Sequence, residues 1–310
     1  MEKVTISHYE FLKKFPNAEA ARLYLEDRRW HGKPVCPSCG CVDRIQVRKA
    51  VGYFRCLACK EDFTVRTGTI FERSHIPLDK WLYAMYLIST ARKGISSMQL
   101  SKELGITQKS AWFMLQRIRE ACGNNGGNGG LLSGIVEADE TYLGGKEANK
   151  HANKKLRAGR GSVGKAAVVG MRERGGPMRA VAVGDDISVR NIQSLVLATV
   201  EEGSILCTDK AAAYKGLRGY RHRSVDHTAK QYVDGMAHTN GIESVWAVLK
   251  RGYYGVYHHF TVKHMQRYVD EFSFRLNEGN CKVHTMDRTN SLVDKTDGVR
   301  ITYKALTAAA

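Results

Sequence analysis

Two sets of residues in this sequence have types and spacings suited to metal chemistry. The first is a group of cysteines, Cys36, Cys39, Cys41, Cys56 and Cys59. With Cys41 set aside they read C-x2-C-x16-C-x2-C. That is the spacing of a zinc ribbon, in which two knuckles present four thiolates to a structural Zn²⁺. Pro37 and Gly40 supply turn residues to the first knuckle. The second set is Asp139, Asp209 and Glu243, followed by Lys250. Three carboxylates converging from two strands and a helix would hold two Mg²⁺ (or Mn²⁺) ions. Such a pair suits in-line phosphoryl displacement: one ion activates the attacking water or 3′-hydroxyl, and the other stabilises the leaving oxygen. Lys250 follows Glu243 by two helical turns, on nearly the same face, where its charge would steady a phosphate.

Neighbouring polar residues compete for these roles. Taken singly, a surface acid is most often merely solvated. Glu137 and Asp139 share a strand face by two-residue alternation, so alternation does not choose between them. Asn240 precedes Glu243 by three residues and shares its helix face. Glu243 is the stronger candidate, because a carboxylate binds Mg²⁺ better than a neutral amide does.

The elements that must position these residues can be read from local patterns. Ser7-x-x-Glu10 is a capping box, and Asn17 caps a second helix through Trp30. Between the cysteine pairs, residues 45–48 and 52–55 read as short strands, and 63–65 as a third. So small a piece needs its metal to fold. Residues 77–88 carry a helical apolar stripe, and two further helices are joined by a turn at Gly105-Ile106. This pair reads as a helix-turn-helix that presents Thr107, Gln108, Lys109 and Ser110 to the major groove, with Arg117 and Arg119 near phosphates. An ordinary helical hairpin gives a similar pattern. Residues 123–130 read GNNGGNGG, a linker that cannot hold a helix. After it come strands at 134–143, 166–172, 178–183 and 204–209, a helix at 190–200 and another at 240–251. The order suggests an RNase H-like sheet, although other α/β folds share it. Tyr214, Trp246, Tyr253 and Tyr254 read chiefly as core.

The chain has 310 residues, 48 Lys plus Arg against 31 Asp plus Glu, and a net charge of +17, which predicts a polyanionic partner. There is no apolar run long enough for a transmembrane helix and no secretory signal at the start, so a disulfide framework is not expected. Gly144 to Ala166 holds seven Lys/Arg against one Glu. Lys150, Lys154, Lys155 and Arg157 in this loop are expected to meet DNA phosphates.

Several stretches resemble bacterial insertion-sequence transposases of the DDE class that combine a zinc ribbon with an ISXO-type catalytic domain. They are Cys36-Pro-Ser-Cys39-Gly, Val136 to Lys146 (VEADETYLGGK), Thr208 to Tyr214 (TDKAAAY), His238 to Gly252 (HTNGIESVWAVLKRG), Gly255 to His258 and Arg267 to Asn277. The resemblance implies Asp139, Asp209 and Glu243 as the triad with Lys250 beside it, Mg²⁺-dependent strand cleavage and transfer, and recognition of terminal inverted repeats. The expected class is α/β (α+β), an RNase H-like catalytic domain preceded by a zinc ribbon and a helix-turn-helix. The expected organisation is a helical lead-in at 1–30, ribbon at 31–72, helix-turn-helix at 73–122, linker at 123–130, catalytic domain at 131–283 and a C-terminal tail at 284–310. Expected partners are double-stranded DNA, as element ends and as target, and further copies of the chain on that DNA. The expected location is the bacterial cytoplasm, at the nucleoid. Two other readings share these features: a non-catalytic DNA-binding regulator, and an RNase H-like nuclease without strand transfer.

Overall fold

The computed structural model describes residues 5–123, 130–145, 151–156, 163–209, 212–214, 216–225, 238–278 and 283–308. The chain divides into two compact units, Met1–Gly126 with Glu278–Ala310, and Gly127–Asn277. The second is therefore inserted into the chain of the first.

In the discontinuous unit, α1 (His8–Lys14) begins with the Ser7/Glu10 capping box and α2 (Ala18–Trp30) with the Asn17 cap. The ribbon strands β1 (Ile45–Val47), β2 (Phe54–Cys56) and β3 (Asp62–Phe63) form an antiparallel sheet in sequence order. Trp30 closes its inner face, edge-on to Phe54 at 5.2 Å and to Phe63 at 5.8 Å. α3 (Leu78–Thr90) is the buried centre of the unit. α4 (Ser97–Leu104) and α5 (Gln108–Gly123) are joined by a turn in which Gly105 takes a left-handed φ of 59°, a conformation that glycine adopts without Cβ strain.

Two expectations fail in this unit. Residues 284–310 were read as a tail, because nothing in them matched a known pattern. Instead α9 (Thr285–Asp294) and α10 (Tyr303–Thr307) pack into the unit. Arg28 pairs with Asp294 and Arg29 with Asp297, each at 2.6 Å, and the Arg288 guanidinium donates to Ser89 O at 3.1 Å. Leu292 and Leu306 are buried. The second failure concerns Arg117, which was expected at phosphates. It is only 5% exposed and donates to the carbonyls of Glu72 (2.7 Å) and Ile301 (3.4 Å). Arg119 is likewise buried. From Met114 to Ile118 and on to Arg119 the residues of α5 are buried all round the helix, so the two arginines, on nearly opposite sides of it, both lie inside the unit.

In the inserted unit, β4 (Ile135–Leu143), β5 (Ala166–Glu173), β6 (Met178–Gly184), β7 (Ile205–Asp209) and β8 (Arg221–Val225) form one sheet in the order β6-β5-β4-β7-β8. β6, β5 and β4 are antiparallel, whereas β7 and β8 run parallel to β4. This is the RNase H-like arrangement. α6 (Val189–Thr199) covers one face through Ile192 and Val196, against Val136, Ala138, Met171 and Leu206. α7 (Asn240–Gly252) and α8 (Val262–Asn277) cover the other, with Trp246, Leu249, Val269 and Phe272 against Val168 and Ala180. Among the described residues, no helix is long and apolar enough to cross a membrane.

Candidate metal and catalytic centres

The four Sγ atoms of Cys36, Cys39, Cys56 and Cys59 all lie within 4.8 Å of one another. Cys36–Cys59 and Cys39–Cys56 are each 3.6 Å apart. Tetrahedral zinc with bonds of about 2.3 Å needs sulfurs separated by just under about 4 Å, so this donor set fits Zn²⁺. The first knuckle is closed by Gly40 N to Cys36 O at 2.9 Å and Cys36 N to Cys41 O at 3.0 Å. Cys41 thus takes part through its backbone, and its sulfur is outside the quartet. The backbone N–H of Cys59, aided by that of Ala58, outweighs burial and lowers the Cys56 thiol to about 6. Backbone dipoles therefore favour the thiolate that a metal needs.

The acids are assembled by tertiary structure. Asp139 lies at the middle of β4, on the face covered by α7, and Asp209 ends the adjacent parallel strand β7. Glu243 stands in the first turn of α7, exposed, and its carboxylate accepts from Thr239 Oγ1 at 2.9 Å. Burial pushes the Asp139 carboxyl up to about 6. The Glu140 N–H opposes this, the Asp209 charge adds to it, the Trp246 indole opposes it and the Glu243 charge adds to it. Asp139 therefore lies within the field of the other two acids, and a divalent cation is the group that carboxylates so placed accommodate. Among the described residues they do not form a group as tight as the cysteines. Lys250 lies exposed in the last turn of α7, and Asn240 is exposed at its first residue.

Glu137 has a different place from the one considered for it. It is 1% exposed; it accepts from Ile242 N at 2.9 Å and from Arg174 Nε at 3.1 Å, and His238 Nδ1 lies 3.3 Å away. Its carboxylate holds the N-terminus of α7 onto β4, which occupies it structurally. A Cβ on Gly241 would come within 2.5 Å of its Oε2, which explains the glycine there.

Sequence reasoning passed over Glu140, whose carboxyl is pushed up to about 7 by burial, with the Tyr214 hydroxyl opposing and the charges of Asp139 and Asp209 adding. Tyr214 is fully buried, and burial and then the Glu140 charge raise its own hydroxyl. The Tyr214 ring packs in the core cluster with Val136 and Ala138 of β4. The one available signal was a strand acid facing an apolar sheet surface. β8 was also missed, since Arg-His-Arg-Ser-Val is polar throughout, as suits an edge strand. Its His222 Nε2 lies 2.9 Å from Thr208 Oγ1, beside Asp209.

On α5, Thr107 caps the helix by accepting from Ser110 N at 3.2 Å, Gln108 donates to Ser97 Oγ at 2.8 Å, and Lys109 is exposed with its ammonium 4.8 Å from the Tyr303 ring centre. In the basic loop Lys155 is exposed; Lys150, Arg157 and the Lys154 side chain lie outside the described residues.

Comparison with known proteins matches two parts of the chain. Residues 131–277 match the ISXO2-like transposase domain, and residues 16–62 match the transposase zinc-ribbon domain. The chain thus carries a match to an ISXO2-like transposase domain behind a match to a transposase zinc ribbon. The chain is 28% identical over 253 residues to an uncharacterized protein in transposable element ISH50 of Halobacterium salinarum, covering 77% of the chain and 84% of that protein. Among solved structures, the Mos1 strand transfer complex is 12% identical, with 58% of this chain and 71% of that chain covered and a TM-score of 0.21. The Mos1 mariner paired end complex with Mn is 10% identical, with 66% and 75% covered and a TM-score of 0.21. Superpositions this loose carry no argument about the site.

Proposed function

We propose that this chain is a transposase that binds the terminal inverted repeats of an insertion sequence and catalyses metal-dependent cleavage and transfer of DNA strands. The observation that carries this reading is the placement of Asp139 and Asp209 on adjacent parallel strands and of Glu243 in the first turn of the covering helix of an RNase H-like sheet. In this reading Asp139, Asp209 and Glu243 would hold two Mg²⁺ or Mn²⁺ ions, which supply activation of the attacking oxygen and stabilisation of the leaving one. Glu243 is taken as the third ligand in preference to Asn240, because a carboxylate binds Mg²⁺ better than a neutral amide does.

The chain's own residues do the rest. Lys250, about 10 Å along α7 from Glu243, meets a phosphate of the bound strand. The first turn of α5, with Thr107, Gln108, Lys109 and Ser110, reads the repeat in the major groove. Lys150, Lys154, Lys155 and Arg157 neutralise phosphates near the acids. The zinc-held ribbon braces or extends this DNA surface, and the active form is a homo-oligomer on DNA.

The test is incubation of the full chain with Mg²⁺ and DNA carrying the element ends. Cleaved and joined products are expected from the wild type and none from Asp139→Ala or Asp209→Ala. Equal product from those variants would refute the assignment, and hydrolysis without joining would favour a nuclease.

A further inference from the structure

We propose that Trp246 and Gly170 are a positioning pair that holds the Asp139 carboxylate in its metal-binding orientation; this deepens, and rests on, the reading of Asp139 as a metal ligand. Trp246 lies on α7, three residues after Glu243 and four before Lys250, on the side buried against the sheet. Its indole Nε1 donates to Asp139 Oδ2 at 3.0 Å. That bond engages one carboxylate oxygen and restrains the side chain's rotation, beside the Glu140 N–H that also donates to this carboxylate.

The ring can reach Asp139 only because of what β5 lacks. Gly170 is directly opposite Asp139 across the antiparallel β4–β5 ladder. A Cβ there would meet the ring at 2.6 Å from Cζ2, and still closer at Cη2. The backbone of Gly170 is not in the left-handed region, so conformation does not demand a glycine. The demand is for space, and Trp246 occupies it.

The arrangement has a metric basis. Glu137 and Asp139 are two residues apart on one strand face, a rise of about 6.8 Å. Ile242 and Trp246, which they engage, are four residues apart on α7, a rise of about 6 Å. One helical turn therefore matches one strand repeat. Glu137 pins the start of the helix through Ile242 N, and the indole pins the next turn to Asp139. Sliding or rotating α7 would break both contacts and move Glu243 and Lys250 relative to Asp139. A partner of this kind behind a metal ligand typically sets metal affinity by about 10–100-fold.

The experiment is calorimetric titration of the full-length protein with Mn²⁺, with melting temperature recorded on the same samples. Trp246→Phe keeps an aromatic ring over Gly170 but loses the donor; Gly170→Ala keeps the donor but displaces the ring. Each is expected to weaken Mn²⁺ binding by about tenfold. A Cβ at 170 would still lie 3.2 Å from the end of the Ile242 side chain, but Phe lacks the two ring atoms it would strike, so the Gly170→Ala/Trp246→Phe double variant should bind Mn²⁺ no worse than Trp246→Phe alone. A general packing defect would instead make the double variant worse and lower its melting temperature additively. Wild-type Mn²⁺ affinity in both single variants, while Asp139→Asn abolishes binding, would overturn the positioning role and leave the metal site standing. Undiminished binding by Asp139→Asn would remove the metal reading and this inference with it.

Discussion

The cysteine quartet and the acid cluster of this chain are built in opposite ways. The cysteine site takes all its ligands from residues 36–59, and two local knuckles aim them. The acid site gathers residues between positions 139 and 243, and no local turn aims any of them at another. Strand pairing, the packing of α7 and the Glu137 and Trp246 contacts supply that aim. A ligand set within one turn depends on its metal to hold the fold, whereas a set spread over a sheet depends on the fold to hold the metal. The ribbon is therefore expected to collapse without zinc, and the acid site to keep its shape without magnesium while suffering its own unbalanced charge.

The largest effect that would break this contrast is zinc removal. Chelation, or Cys56→Ser, should abolish hydrogen-exchange protection across residues 45–63 while leaving β4, β5 and β7 protected. Simultaneous loss in both regions would show that the two sites are not independent. Next in size, Asp139→Asn should lower strand cleavage by about 10³-fold or more. In the same protein without divalent ions, the denaturation midpoint at pH 8 should rise, since the substitution removes a buried charge. A fall in that midpoint would mean that Asp139 stabilises the apo fold.

The pH dependence follows from the same shift. Asp139 is raised from 3.8 to about 6 and Glu140 from 4.5 to about 7. Between the unfolded and folded values, the unfolded chain gives up protons that the folded one retains. Stability is therefore lost as pH rises from about 4 to 7, by up to about 3 kcal/mol for Asp139 alone. Urea denaturation of the metal-free protein at pH 5 and pH 8 measures this, and Mg²⁺ should restore most of the loss at pH 8. A flat profile would place the acids in contact with water.

Smaller effects separate the arginine inside α5 from the lysine outside it. Arg117→Ala should cost about 2–3 kcal/mol of stability in the discontinuous unit, because two carbonyls lose their buried donor. Lys109→Ala should leave stability within about 0.5 kcal/mol and reduce the salt slope of DNA binding by about 1. If Arg117→Ala changes only the salt slope, the buried assignment is wrong.

How much the sequence disclosed follows from the same contrast. Cys-x2-Cys pairs, the Ser7/Glu10 box, the Asn17 cap and the Gly105 turn are local devices, and each is realised where its residues predict. Arg117 was misread because charge suggests a surface, while the face of α5 that meets Glu72 and Ile301 is decided by distant segments. Glu137 and Asp139 are equivalent to alternation; what separates them is which point of α7 each meets. Residues 285–307 show no motif because their role is to fill space against α2, α3 and α5, and complementarity of that kind leaves no short pattern.

The insertion of one unit within the chain of the other sets an order of events in synthesis. Residues 278–308, which supply Ile301 to Arg117 and Asp294 to Arg28, leave the ribosome after every strand of the catalytic sheet. A nascent or prematurely terminated chain can complete the sheet that carries the acids while its first unit still lacks two helices. Completion of the N-terminal half is thereby deferred to the end of translation, so the product of a broken message would carry the finished sheet beside an unfinished first unit.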